Sequence, residues 1–190
     1  MIPVLVIRHA ATDWNAEGRI QGRTDLRLSA AGRRQAQSWR LPTGWTHAEC
    51  AASPLLRARE TASLLALVPH TEPALIEMAW GEWEGRRLAE LRTELGAEMA
   101  RNEAAGLDFR PPGGESPRDV QARLLPWLAG LRQPTIALTH KGVMRALHSL
   151  ATGWMMRADP PVKLLPSGAQ LFGVTDRRLE LIEANIPLDK

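Results

Sequence analysis

A chain of 190 residues, 44% hydrophobic and 24% charged, is long enough for one globular domain with a sizeable core. Its 24 basic and 21 acidic residues are interspersed without a run of four Lys or Arg, so neither the net charge of +3 nor the pI near 9.7 predicts a nucleic-acid partner. The single cysteine, Cys50, excludes an internal disulfide framework; with no leader-like N-terminus and no apolar run near the ~20 residues that cross a bilayer, a cytoplasmic chain without a membrane partner is expected.

Residues 3–9 form the first predicted strand, an apolar, β-branched run (Val4-Leu5-Val6-Ile7) ending in Arg8-His9. Residues 10–28 are polar and contain glycine, a connection longer than most and therefore a candidate functional loop. Ser29 serves as N-cap for a helix through about Trp39. A short strand near Ala48–Ser53 precedes Pro54, which is suited to open a helix running to about Ala66. Arg86–Ala105 spaces Leu88, Leu91, Leu95 and Met99 as one helix, which Pro111-Pro112-Gly113-Gly114 terminates. Ser116-Pro117-Arg118-Asp119 then supplies an N-cap, a proline at the first helical position and an acidic third residue for another helix.

A second β-branched run, Thr135–Thr139, ends in His140, and Val143–Ala151 follows as a helix. Val162–Leu165, Gln170–Thr175 and Leu179–Ala184 read as strands, the last two joined by a turn at Asp176-Arg177-Arg178. Such alternation predicts an α/β fold whose sheet is mainly parallel with an antiparallel edge.

Two histidines therefore end two strands, 131 positions apart (140 minus 9). The ligand crevice of an open α/β sheet lies outside the carboxyl ends of its strands, so adjacent strands would bring both imidazoles together. Arg8 and Arg57 offer planar forks suited to phosphate oxygens. The helix beginning near Gly142 adds N–H groups and the positive end of its dipole, and the missing Cβ lets backbone approach an anion closely. A phosphoryl site is predicted.

Five motifs in order carry a resemblance to the histidine phosphatase superfamily, which includes the cofactor-dependent phosphoglycerate mutases. They are Arg8-His9 with Thr12, Trp14-Asn15 and Gln21-Gly22, continuing through Leu28-Ser29-Ala30-Ala31-Gly32-Arg33-Arg34-Gln35-Ala36; then Ser53, Arg57, Ala58, Thr61 and Ala62. Leu75, Glu77, Gly81, Trp83, Glu84 and Gly85 follow, then Gly114-Glu115-Ser116, and last the segment around His140. The chain departs from the family pattern at Ala10, Ala11 and Lys141. None of these changes removes the nucleophile or a phosphate-contacting charge.

The resemblance implies a single domain over 1–190: a three-layer sandwich with helices on both faces of the sheet and a short helical lid at about 80–116. It implies a phosphomonoesterase acting on small phosphorylated metabolites without metal or organic cofactor. His9 is the implied nucleophile, a neutral imidazole needing no general base. Arg8, Arg57 and His140 would hold the phosphoryl group, with His140 cationic; Asn15, Gln21 and Gly22 would complete the pocket. Glu77 would act as general acid and then as general base, with Glu82 and Glu84 as nearby competitors. The resemblance also admits phosphoglycerate mutase-type transfer or an α-ribazole phosphate phosphatase.

Outside the class, His9, His140 and Glu77 admit a metal-dependent hydrolase, against which the two flanking arginines argue. Trp14, Trp80 and Trp83 fall within motifs, leaving open whether they line a substrate pocket or the core.

Overall fold

Alternation along the first strand decides the layering. In the computed structural model, which describes residues 1–176 and 178–189, Val4 and Val6 face one side of the sheet while Leu5 and Ile7 face the other. All four are essentially inaccessible to solvent. The strand is buried on both faces, as a central parallel strand must be.

The sheet has six strands: β1 (Ile2–Arg8), β2 (Glu49–Ala52), β3 (His70–Thr71), β4 (Thr135–Thr139), β5 (Gly168–Val174) and β6 (Leu179–Pro187), in the order β3-β2-β4-β1-β5-β6. Strands β1, β2, β3 and β4 pair in parallel, whereas β5 and β6 form the antiparallel edge. One face is covered by helices α6 (Pro117–Gly130) and α7 (Lys141–Thr152), whose Val120, Leu124, Val143 and Leu147 pack on Val4, Val6 and Ala137. The other carries α2 (Ala30–Ser38) and α3 (Leu56–Leu64), where Ala36, Ala58 and Ala62 pack with Leu5, Ile7 and Leu138. Cys50 lies within this second layer, and burial pushes its thiol up to about 11.

The predicted caps are present. The Ser29 hydroxyl accepts the Gly32 N–H, and Ser116 and Asp119 form a reciprocal capping box at the head of α6. The long loop after β1 contains one helical turn, α1 (Asp13–Ala16), closed by a capping box between Thr12 and Asn15.

Several elements differ from expectation. The helix expected over 86–105 is two, α4 (Leu88–Leu95) and α5 (Ala97–Ala104), because Gly96 takes φ +49°. Pro54 does not open α3; Leu55 is the cap and lacks a side-chain acceptor, so Asp25 Oδ1 accepts the Leu56 N–H at 2.7 Å instead. The segment 162–165 is not a strand. Prolines at 160, 161 and 166 deny it a ladder, and the Asn185 side chain bonds its backbone at Leu165 N–H and Lys163 C=O. The two-residue β3 was unpredicted, being too short and too exposed for any periodicity to show. Of the turn expected after β5, Arg177 lies outside the described residues, as does Lys190. No helix among the described residues is long and apolar enough to cross a membrane.

Candidate active site

Register builds the site. In the β1–β4 pairing Arg8 stands opposite Thr139, so His9 and His140 leave the sheet level with one another. The His9 N–H donates to the Thr139 carbonyl at 2.9 Å, and the two imidazole centroids are 5.1 Å apart. On the far side of β4, Ser53 follows β2 at the same height, with its N–H on the Leu138 carbonyl and its hydroxyl 2.7 Å from His140 Nε2. Thr61 ties α3 to the loop: its hydroxyl accepts the Ala10 N–H at 3.1 Å and donates to the Arg57 carbonyl at 2.7 Å.

The hydrogen bonds of His9 determine its tautomer. Nδ1 lies 2.7 Å from the Ala10 carbonyl, which can only accept, so Nδ1 carries the proton and Nε2 carries the lone pair. Arg57 Nε donates to that Nε2 at 3.3 Å. Burial, then the Arg8 and Arg57 guanidiniums, hold the His9 imidazole well below 6.5, so it is neutral at pH 7. His140 is depressed in the same way, by burial first and then by His9, Arg57 and Arg8. The cationic His140 expected from the resemblance is thus disfavoured by its surroundings in this structure.

Arg57 is completely buried, and its two remaining nitrogens donate to Thr24 C=O (2.9 Å) and Gly22 C=O (2.7 Å). The nearby carboxylates Glu77, Asp25 and Glu84 offset part of its desolvation. Two buried atoms of this cluster have no protein hydrogen bond: Arg8 Nε and His140 Nδ1. Buried polar atoms without a partner are rare, and both of these belong to charged or titratable side chains at the strand ends.

Glu77 is also buried. Its Oε1 accepts the Met78 N–H at 2.8 Å and its Oε2 the Gly142 N–H at 3.2 Å. Gly142 therefore serves a different purpose from the one predicted: its N–H holds the Glu77 carboxylate rather than pointing to the phosphoryl position. A Cβ there would stand 2.4 Å from Glu77 Oε1, so glycine is required. The segment leading to Glu77 is pinned by Arg123, which donates to the carbonyls of Ala74 and Ile76, and by Arg23, which donates to the Glu77 carbonyl at 3.3 Å.

The competing carboxylates have other work. Glu84 Oε1 accepts from Arg23 N–H and Trp80 N–H, and its Oε2 from the Thr24 N–H and hydroxyl, between 2.6 and 3.2 Å. It clamps the loop that presents Gly22 and Thr24 to Arg57, whereas Glu82 is exposed. Gly22 has φ +52° and packs against this carboxylate.

The structure thus brings Arg8, His9, Arg57, Glu77 and His140 together, with Gly22 reaching the group through Arg57. Asn15 and Gln21 make no hydrogen bond to either histidine; Asn15 Oδ1 is taken by the α1 cap. Sequence reasoning passed over Ser53, Thr61 and Glu84 as site-building residues. All three lie inside the quoted motifs, so their positions were the available signal.

Beside Glu77 opens a cavity of about 420 Å³, which meets the site at Met78 and Gly142. Trp80 lines it, while Trp83 is core to the α4–α5 cluster and the Trp14 ring lies over Gly85. Lys141 is exposed beside the site.

The histidine phosphatase superfamily (branch 1) model matches residues 4–186. The chain belongs to the histidine phosphatase superfamily. Among its relatives is a 2,3-bisphosphoglycerate-dependent phosphoglycerate mutase 2 of Gloeobacter violaceus, 35% identical over a stretch covering 66% of this chain and 61% of that protein. A glucosyl-3-phosphoglycerate phosphatase of Mycobacterium tuberculosis is 32% identical, over 76% of this chain and 72% of its own length. The crystal structure of TTHB049 from Thermus thermophilus superposes with a TM-score of 0.75 at 32% identity, covering 97% of this chain and 99% of the other. Relatives named as mutases and relatives named as phosphatases thus match this chain in sequence, and an enzyme acting on phosphate esters is supported.

Proposed function

We propose that this histidine phosphatase is a phosphomonoesterase that hydrolyses small phosphorylated metabolites through a phosphohistidine on His9 Nε2. The observation that carries the reading is the lone pair on Nε2, fixed by the Nδ1 bond to Ala10 and surrounded by guanidiniums. In the first step a bond forms between Nε2 and phosphorus, the bond from phosphorus to the ester oxygen breaks, and Glu77 protonates the departing alkoxide. In the second, Glu77 takes a proton from water, whose oxygen attacks phosphorus and releases inorganic phosphate and His9. Arg8, Arg57 and His140 stabilise the charge on the equatorial oxygens during both transfers, and Arg8 Nε has a donor to spare for them. Asn15 and the backbone near Gln21-Gly22 complete the phosphoryl pocket in this reading.

Metal independence belongs to the same proposal. Among the described residues no three His, Cys, Asp or Glu side chains are grouped to hold a metal, and two guanidiniums beside the histidines oppose a cation. Hydrolysis is favoured over mutase transfer because the insertion between Glu77 and Pro111 is short, with two helices of eight residues each forming the lid of a single domain.

A panel of phosphorylated metabolites, with 3-phosphoglycerate and α-ribazole phosphate among them, assayed with wild type and His9→Ala tests the reading. Turnover is expected to fall at least about 10³-fold in the variant, and retained turnover refutes the nucleophile. Isomerisation of 3-phosphoglycerate in the presence of 2,3-bisphosphoglycerate that outpaces phosphate release would make the chain a mutase. Complete loss of activity in EDTA would overturn the metal-free mechanism.

A further inference from the structure

The cavity beside Glu77 lies where the alcohol of a phosphate ester must sit if Glu77 protonates it. Much of its wall is apolar, from Met78, Trp80, Phe109 and Met156, and at about 420 Å³ it falls in the range of pockets that enclose a sizeable organic group. Four further charged groups border it besides Arg145. Arg92 and Glu103 neutralise each other at 2.7 Å, and Arg157 and Asp159 are exposed to solvent.

Arg145 is different. It follows Gly142 by three residues on α7, so both point from the same face into the cavity. It is half-buried, yet among the described residues its guanidinium makes no hydrogen bond and no ion pair. Glu77 is the opposite charge that acts on it, while Lys141 lies close enough for the two cations to oppose each other. A partly desolvated cation without a partner is unfavourable unless an anion completes it.

The surroundings hold Arg145 in place. Its guanidinium carbon stands over the Trp154 ring, 5.1 Å from the centroid, a cation–π contact. Trp154 is itself anchored, with Nε1 donating to the Ala158 carbonyl at 3.1 Å and its own carbonyl accepting from Ser149 Oγ at 2.5 Å. The Ser149 hydroxyl in turn accepts from Gln121 Nε2 at 2.9 Å. The wall loop carrying Met156 is wedged against Gly106, where a Cβ would stand 2.2 Å from the Met155 carbonyl, and Met156 takes φ +59°.

We propose that Arg145 is the anion-recognising residue of this cavity, and that the preferred substrate is a phosphate ester whose alcohol carries an apolar or planar body and an anionic group at its far end. The proposal rests on the phosphatase reading for which side of the ester faces Arg145.

The test compares phenyl phosphate with 4-carboxyphenyl phosphate in turnover, and benzylphosphonate with 4-carboxybenzylphosphonate in calorimetric binding, using wild type, Arg145→Gln and Arg145→Lys. Wild type should prefer the carboxylated member at least about tenfold in both measurements. Arg145→Gln should remove most of that preference, and Arg145→Lys, which keeps the charge without the planar fork, should retain part of it and provides the folded comparison. Equal binding of the two phosphonates by wild type, or an unchanged preference in either variant, overturns the proposal. Preferential binding without turnover of any ester would uphold Arg145 and refute the phosphatase; turnover without preference would do the reverse.

Discussion

The strand ends and the cavity beside them are built by opposite means. At the strand ends Arg57 is wholly buried with a protein partner for each nitrogen, and the histidines are held by Ala10 and Ser53. At the cavity the ion pairs lie near solvent, the walls are Met and Trp, and among the described residues the Arg145 guanidinium has a ring beside it but no hydrogen bond or ion pair. The first arrangement suits a group that never varies, a phosphoryl with fixed shape and charge, which rewards preorganised donors. The second suits a group that differs between relatives, where adaptable side chains and one directional charge suffice. Glu77 stands at the seam, with its carboxylate on the helix that also carries Arg145.

The strongest way to break this division is at the seam. Glu77→Gln should lower kcat by about 10²–10⁴-fold on an alkyl phosphate, and much less on p-nitrophenyl phosphate, whose leaving group needs no proton. An equal loss on both would show that Glu77 holds the phosphoryl group instead. Gly142→Ala should follow at about 10²-fold on the alkyl ester, since the added Cβ displaces the carboxylate without touching the phosphoryl contacts. Steady-state kinetics with inorganic phosphate as inhibitor separates the two, because phosphate affinity should not change in the glycine variant.

Acid should act on the buried half. His9, His140 and His148 are all held below 6.5, burial being the leading cause in each. Above that pH the folded and unfolded states are both neutral and stability is flat. Below it the unfolded chain takes up protons that the folded imidazoles resist, so stability falls as pH drops, by roughly 1.4 kcal/mol per pH unit for each histidine until its folded pKa is reached. Thermal midpoints from pH 8 to 5 report this, and a flat profile would contradict it. The smallest effect belongs to the cavity side. Ser116→Ala removes the α6 cap and should cost about 1 kcal/mol in denaturant unfolding while leaving p-nitrophenyl phosphate turnover unaltered.

What was legible follows the same division. Strands β1 and β4 announce themselves because burial on both faces demands unbroken apolar runs, and their terminal histidines come with flanking motif residues. Helix spacing over Leu88, Leu91, Leu95 and Met99 stays in phase across Gly96, so periodicity alone could not reveal the break that φ +49° imposes. Apolar character at 162–165 suggested a strand, but the flanking prolines and the reach of Asn185, twenty residues or more away, decided otherwise. Spacing favoured Glu77 over Glu82 and Glu84, and only three-dimensional placement showed why: Glu84 is occupied by four donors. Arg145 had no signal beyond its position in the last motif, one arginine among 21.

The one thiol of the chain offers a use unrelated to phosphate. Cys50 is enclosed in the second layer, and its sulfhydryl resists ionisation up to about 11, so alkylating and disulfide reagents should find it inert while the sheet is intact. Its modification then becomes a clock for transient opening of the β2–β4 pairing, read out chemically at a single known position.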